Sequence, residues 1–286
     1  MISPFAILGI RHFFTAAILF MGEQSVFIGF NVQLGHTTMF DNYYKSGKRI
    51  FNHHKANVKK QIDFYAGADS YLLGTNIQDD WFPAIDADIF ISHSHENKKL
   101  AISLAGWLYD LLGLTAFVDS CIWGCSNDLL KVIDDKYCYN RRSGTYDYGK
   151  RNHSTSHVHM MLCMALNKMI DKTECLFFIN TPESLEVSDD IEFKHTASPW
   201  IYAELQISRV IRQQRPNRFL MKRNIKRPLV ENSKKLRVKY NVDLTHLVDL
   251  RIRDLVWWRK SVQDDLDRHA LDKLYLRKNI LTHNAK

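Results

Sequence analysis

Cysteine is scarce in this chain, and none of it looks paired. Cys121, Cys125, Cys138, Cys163 and Cys175 are odd in number and scattered through apolar or mixed segments. A secreted disulfide framework uses even, closely spaced cysteines in a short chain, so this pattern points to a reducing cytosol and a cytoplasmic protein. Cys121 and Cys125 have no second pair at suitable spacing, which argues against zinc; no metal is expected. Internal repeats and low-complexity tracts are absent too. So is any uninterrupted apolar run of bilayer length. The most apolar stretch, residues 2–20, carries Arg11 and His12 at its centre, with Glu23 close behind. A spanning helix needs about 20 apolar residues, and a central arginine costs several kcal/mol there. No lysine or arginine precedes the run and no convincing small-residue cleavage site follows it, which disfavours a signal peptide. A packed N-terminal helix or strand therefore ranks first, a membrane-proximal segment second and a cleaved signal third.

What is present suits a folded chain. Its 286 residues are 45% hydrophobic and 24% charged, enough to bury a sizeable core and far from the composition of disorder. The formal net charge of +8 is concentrated. Between residues 209 and 239 twelve basic side chains face a single acid, Glu231, an excess larger than the net charge of the whole chain. Such a field attracts anions, whether nucleic acid, a dinucleotide or an acidic partner surface, and charge alone does not choose among them.

The pattern of elements changes at Asp86. Residues 36–80 are polar and weakly periodic, with turn chemistry at Ser46-Gly47 and Gly67-Ala68-Asp69, and predict short covering helices. Ala87-Asp88-Ile89-Phe90-Ile91-Ser92 then predicts a strand buried on both faces. Leu100, Leu104, Trp107, Leu108 and Leu111 predict a helix over 96–112, stopped by Gly113. Thr115-Ala116-Phe117-Val118-Asp119 predicts a second strand, followed by a loop with Trp123 and Gly124 and a helix over 127–137. Residues 138–154 look like a polar insertion before a helix over 155–170, and residues 174–180 predict a third strand ended by Thr181-Pro182. Ser198 and Pro199 together mark a helix start, one capping free amides and the other needing no N–H at the first position. Residues 218–221 and 236–240 are weaker strand candidates, and helices follow, including Trp257-Trp258 and a last one near 271–276. Alternating strand and helix predict an α/β fold, an open and largely parallel flavodoxin-like sheet with helices on both faces, whose ligands sit outside the carboxyl ends of the strands.

Three segments, Asp88-Ile89-Phe90-Ile91-Ser92-His93-Ser94-His95-Glu96, Phe117-Val118-Asp119 and Ser198-Pro199-Trp200-Ile201-Tyr202-Ala203-Glu204-Leu205, resemble in order the landmarks of bacterial TIR (Toll/interleukin-1 receptor-like) domains. The resemblance divides the chain into an N-terminal extension (1–84), a TIR-like domain (85–240) and a C-terminal helical segment (241–286). The departures are the insertion at 138–154 and the long helix after it; the first 80 residues resemble nothing. Enzymes of this family cleave NAD+, which makes NAD+ a substrate here and not a cofactor. The resemblance implies that Glu204 is the catalytic carboxylate, that Trp200 one turn earlier lines the pocket, and that Ser92, His93, Asp119 and Trp123 surround the nucleotide. It also implies self-association through TIR–TIR contacts and, as in antiphage systems, a separate effector protein that responds to the product.

A hydrolase giving ADP-ribose or a cyclase giving a signalling isomer ranks first. A non-catalytic TIR adaptor ranks second, because an adaptor has no need of a carboxylate at Glu204. Nucleic-acid binding by the 209–239 stretch ranks third, since Phe219 and one tyrosine near its end make a thin stacking platform. His93 and His95 lack a placed third ligand, and the cysteines read as structural.

Overall fold

The computed structural model describes residues 27–35, 38–55, 72–118, 126–187, 194–211 and 240–280. The apolar stretch 2–20, Cys121 and Cys125, the turn at 67–69, the strand expected at 218–221 and the basic residues from Arg212 to Lys239 lie outside the described residues.

Short apolar runs supply the sheet, as their composition requires. β1 (Ile28–Gln33), β2 (Ile89–Ser92), β3 (Ala116–Val118), β6 (Cys175–Ile179) and β10 (Val248–Arg251) form one sheet in the order β10-β1-β6-β2-β3. Every pairing in it is parallel, for example Phe30 with Phe177 and Phe90 with Phe117 in register. β2, β3 and β6 are buried at every residue, the pattern of strands covered on both faces.

The helices divide as right-handed crossovers require. α1 (Tyr44–Lys55) lies between β1 and β2, and α3 (Lys98–Leu112) between β2 and β3; both connections run the same way across the sheet, and the two helices pack together. α5 (Tyr148–Lys172) and α6 (Pro199–Val210) belong to connections that run back, so they share the opposite face and pack on each other. α2 (Gly74–Trp81) and α4 (Ser126–Tyr137) join α5, while α7 (Ile252–Asp264) packs on α3 and α8 (Ala270–Arg277) on α7. α3 is buried almost all round, at Ala101 through Leu108, because it is enclosed by strand and helices. It ends at Gly113 with φ +66, the left-handed cap that its sequence signals.

Several boundaries differ from expectation. The span 85–240 supplies only three of the five sheet strands: β1 comes from the supposed N-terminal extension and lies between β6 and β10, and β10 comes from the C-terminal segment. The polar insertion is a hairpin, β4 (Tyr139–Asn140) with β5 (Thr145–Tyr146), and α5 begins at Tyr148 where Asp147 caps the Lys150 amide at 2.8 Å. Ser46-Gly47 makes no turn; it is inside α1. β7 (Glu186–Val187), β8 (Lys194–Thr196) and β9 (Tyr240–Val242) form a separate antiparallel sheet, so the tail of the second weak strand candidate pairs away from the main sheet.

Gly47 explains why that position is not a turn. α1 and the turn that leads into it cross α3 so closely that a Cβ at Gly106 would stand 2.2 Å from the Tyr43 carbonyl oxygen, and one at Gly47 would stand 2.0 Å from that of Ile102. Gly106→Ala therefore sets a gain in helix propensity of about 1 kcal/mol against an overlap with backbone. Overlap wins, and the variant loses about 1–3 kcal/mol in urea denaturation; an unchanged midpoint would refute the close crossing.

The start of α7 is tied to the end of α8 by the ion pair of Asp254 and Lys278 at 2.8 Å, both largely buried. Burial pulls the Asp254 carboxyl up, but the Lys278 ammonium and the Arg251 amide outweigh it, and its pKa is lowered. A depressed folded pKa gives stability that is present above the ordinary carboxylate value and is lost as pH falls through the folded one. Asp254→Asn should thus lower the melting temperature at pH 7, with the difference from the parent shrinking below about pH 4.

Candidate functional site

At the carboxyl edge of the sheet, loops leaving neighbouring strands diverge to opposite faces between β1 and β6 and between β6 and β2. Crevices form at such points. The strand ends at this edge are polar and tightly held. Ser92 ends β2 fully buried, and its hydroxyl has no hydrogen-bond partner among the described residues. His93 and Ser94 follow it, also buried. Asn97, in the turn after β2, donates to Ser94 Oγ at 2.7 Å and to Thr181 Oγ1 at 2.5 Å, joining the exits of β2 and β6. Ser184 Oγ closes the β6 turn by donating to the Ile179 carbonyl at 2.9 Å.

A second chain of amides spans β10, β1 and β6. Asn31, 5% exposed, donates to Asp249 Oδ1 at 2.8 Å and accepts from Asn180 Nδ2 at 2.8 Å. Gln33 donates to the same Asp249 oxygen at 3.0 Å. Asn31 is itself buried, and an amide in such a place costs free energy unless it is bonded.

α6 starts as its sequence signals: Ser198 Oγ accepts from the Ile201 amide at 3.2 Å, and Pro199 opens the helix. Its inner side carries Ile201, Glu204, Leu205 and Ser208. Glu204 is 1% exposed. That is the notable fact of the helix, because glutamate is almost never fully buried without a specific reason. Trp200, one turn earlier, is half-buried and meets the His159 ring of α5 edge-on, centroids 6.0 Å apart at 87°. Farther along, Ser208 Oγ and His246 Nε2 lie 3.0 Å apart, and Arg209 pairs with Asp243 at 3.1 Å, so the first charge of the basic stretch is spent on the fold. Burial lowers the pKa of His246 and keeps the ring neutral.

Of the residues predicted for the site, Ser92 and His93 stand together at the end of β2, and Trp200 and Glu204 stand together on α6. α6 rests mainly on α5, β1, β8 and β9, so the two pairs reach the sheet from different elements. Asp119 and Trp123 lie outside the described residues. Sequence reasoning missed Asn31, Asn97 and Asp249. The alternation Phe30-Asn31-Val32-Gln33 was the available signal for the first, since a strand of that pattern turns one polar row to a single face.

Surface depressions lie elsewhere, one of about 270 Å³ between α4, β5 and the start of α5. Its buried acid, Asp134, is fully engaged: Ser154 Oγ and the Arg151 guanidinium (2.8 Å) donate to it, and the Cys138 thiol lies 3.4 Å away. This is a brace that holds the start of α5 to α4. Cys138, Cys163 and Cys175 are free thiols, and burial pushes the pKa of the first two up, which makes them poor nucleophiles. No helix among the described residues is long and apolar enough to cross a membrane. The chain matches no family model, no curated protein and no solved structure.

The amide chain gives a test of the edge itself. Asn31→Ala removes two bonds from a buried position and takes from the half-buried Asn180 amide its Asn31 acceptor, which should cost about 1–3 kcal/mol in chemical denaturation. A loss below about 0.5 kcal/mol, typical of a surface substitution, would show that the chain of amides is incidental.

Proposed function

We propose that the protein cleaves the bond between nicotinamide and ribose in NAD+, with Glu204 as its catalytic carboxylate, as the resemblance to bacterial TIR domains implies. One observation carries this reading: a glutamate withdrawn from water on the inner side of a helix, one turn beyond a tryptophan. Nicotinamide leaves as a neutral base, so the reaction needs no strong general acid. The group that must be stabilised is the ribose, which becomes cationic and oxocarbenium-like as the bond breaks. A carboxylate in a place of low dielectric stabilises that charge more than it would in water, and it orients the sugar through the hydroxyls. Trp200 offers a flat apolar face beside it for a ring of the substrate. Since Glu204 is covered, the ribose reaches it only when the groups above it give way.

Capture of the cation by water gives ADP-ribose, and capture by a nucleophile of the same molecule gives a cyclic isomer. Either product fits a signal read by a separate effector in a cytoplasmic antiphage response. The crevice after β2, with Ser92 and His93, is the place for the rest of the nucleotide, along with Asp119 and Trp123 from the loop after β3. The site is completed by self-association, so activity per molecule rises with protein concentration.

Incubation of the purified chain with NAD+, with products identified by mass spectrometry, tests the reading directly. Glu204→Gln keeps the size of the side chain and removes its charge; turnover should fall about a hundredfold or more while the circular dichroism spectrum stays that of the parent. A folded Gln variant that consumes NAD+ at the parental rate would remove Glu204 from the mechanism. A parent that assembles but leaves NAD+ intact would instead identify an adaptor. Rate per molecule, measured across the range from monomer to oligomer, should climb; a flat profile rules out a shared site.

A further inference from the structure

The hairpin between α4 and α5 carries chemistry that the fold only partly uses. From Lys136 to Arg151 the chain has four tyrosines (Tyr137, Tyr139, Tyr146 and Tyr148) and five cations against one acid, Asp147. Every residue from 139 to 151 is exposed, and Tyr148 is 78% exposed. A single exposed aromatic residue is ordinary. A group of them on one small element marks a surface that meets something.

Some of these groups anchor the hairpin. The Tyr146 hydroxyl donates to Asp135 of α4, and the Arg151 guanidinium lies over the Tyr146 ring, 5.4 Å from its centroid. Tyr139 stands opposite Tyr146 in the ladder, their rings 5.2 Å apart and tilted at 59°. Arg151 is paired with Asp134, and Lys131 with Asp135. The anchored groups leave others over. Arg141 and Arg142, in the turn, form no ion pair among the described residues. Beside them the Ser143 and Thr145 hydroxyls lie 2.8 Å apart. The depression of about 270 Å³ opens at the foot of the hairpin, lined in part by Leu130 and Tyr146. Its two acids are the ones paired with Lys131 and Arg151, so it is a recess without net charge.

We propose that this hairpin is a docking surface for single-stranded RNA. Tyrosine faces stack on bases of any sequence, and guanidinium groups take phosphates in a forked grip. Along the hairpin the two chemistries alternate, as base and phosphate alternate along a strand. A protein partner fits less well, because the centre of a protein interface is depleted of charge and here cations interleave with the rings. A duplex also fits less well, since its bases are already stacked and offer no free face. The pair of hydroxyls favours RNA over DNA: the ribose 2′-hydroxyl both donates and accepts, and so do they. The neutral recess beside Tyr146 is smaller than the pockets that enclose whole ligands, a size that suits one base turned out of the strand. The hairpin supplies the stacking rings in which residues 209–239 are poor. It uses no residue of the NAD+ reading, and the inference stands apart from that reading.

The test is fluorescence anisotropy of a labelled single-stranded RNA of about 12 nucleotides, titrated with the whole purified chain. The RNA should bind, and its affinity should fall as salt rises, because neutralised phosphates release counterions. Tyr148→Ala should weaken binding about tenfold, while Tyr148→Phe, which keeps the ring, should stay near the parent. The double variant Arg141→Gln/Arg142→Gln should reduce the slope of log affinity against log salt by about 1.4, the share of two phosphate contacts. The same RNA in a duplex, and the DNA strand of the same sequence, should bind more weakly. A chain that leaves the RNA free overturns the proposal. So does an affinity that survives Tyr148→Ala and the arginine pair, as it would if residues 209–239 held the RNA. Equal affinity for the DNA strand, or displacement of the RNA by polyglutamate of matched charge, overturns it as well, the latter in favour of an acidic protein.

Discussion

Phe30 is fully buried between Phe177 of the adjoining strand, ring centroids 5.3 Å apart, and Tyr275 of α8, stacked at 6.3 Å. That triple contact makes β1 the keel of the molecule. β6 pairs with it on one side and β10 on the other, so both flanks of the sheet are referred to a strand from near the N-terminus. Trp258 of α7, packed on Phe177 and on Trp107 of α3, extends the same core across one face. A chain that begins at Asp88 would keep β2, β3 and β6 but present the edge of β6 to water, an unpaired row of amides and carbonyls that proteins normally cover.

Because β1 is interior, its polar residues are structural instruments. Asn31 and Asn180 turn what would be a bare sheet edge into a bonded rim, and Asn97 does the same between β2 and β6. Amides and hydroxyls that satisfy one another hold the exits of the strands in place, the kind of rigid frame on which a binding loop works. α6 brings its own order to the opposite layer: a serine cap, an opening proline, and a buried side on which Glu204 is the only ionisable group.

Legibility followed the range of the interactions. β2, β3 and β6 are short apolar runs bounded by turns, α3 ends in a left-handed glycine and α6 begins with cap and proline; each is a local signal, and each was legible. β1 was not, because six residues of strand follow an apolar stretch with no turn chemistry to announce them, and its worth lies in partners far along the chain. The Asn31–Asn180 bond joins residues 149 apart and the Asn31–Asp249 bond residues 218 apart. No window of sequence contains both ends. Gly47 misled for a related reason: Ser46-Gly47 is turn chemistry in isolation, and only the crossing helix shows that the glycine is there to let backbones touch. Glu204 was found through resemblance, but its burial is a property of the packed helix.

The interior position of β1 also sets the order in which the chain can mature. The strand is made before the other strands of the sheet, and both of its neighbours are encoded far downstream, one just after α5 and the other just before α7. Until they emerge, an apolar strand has nothing of its own to pair with, while β2 and β3 can already meet across α3. Closure of long loops precedes any reward from such pairing, so folding of this topology is slow and its intermediates expose strand edges. Synthesis of β10 is thus the step at which the sheet becomes whole, and a chain stalled before it would be a natural client of chaperones.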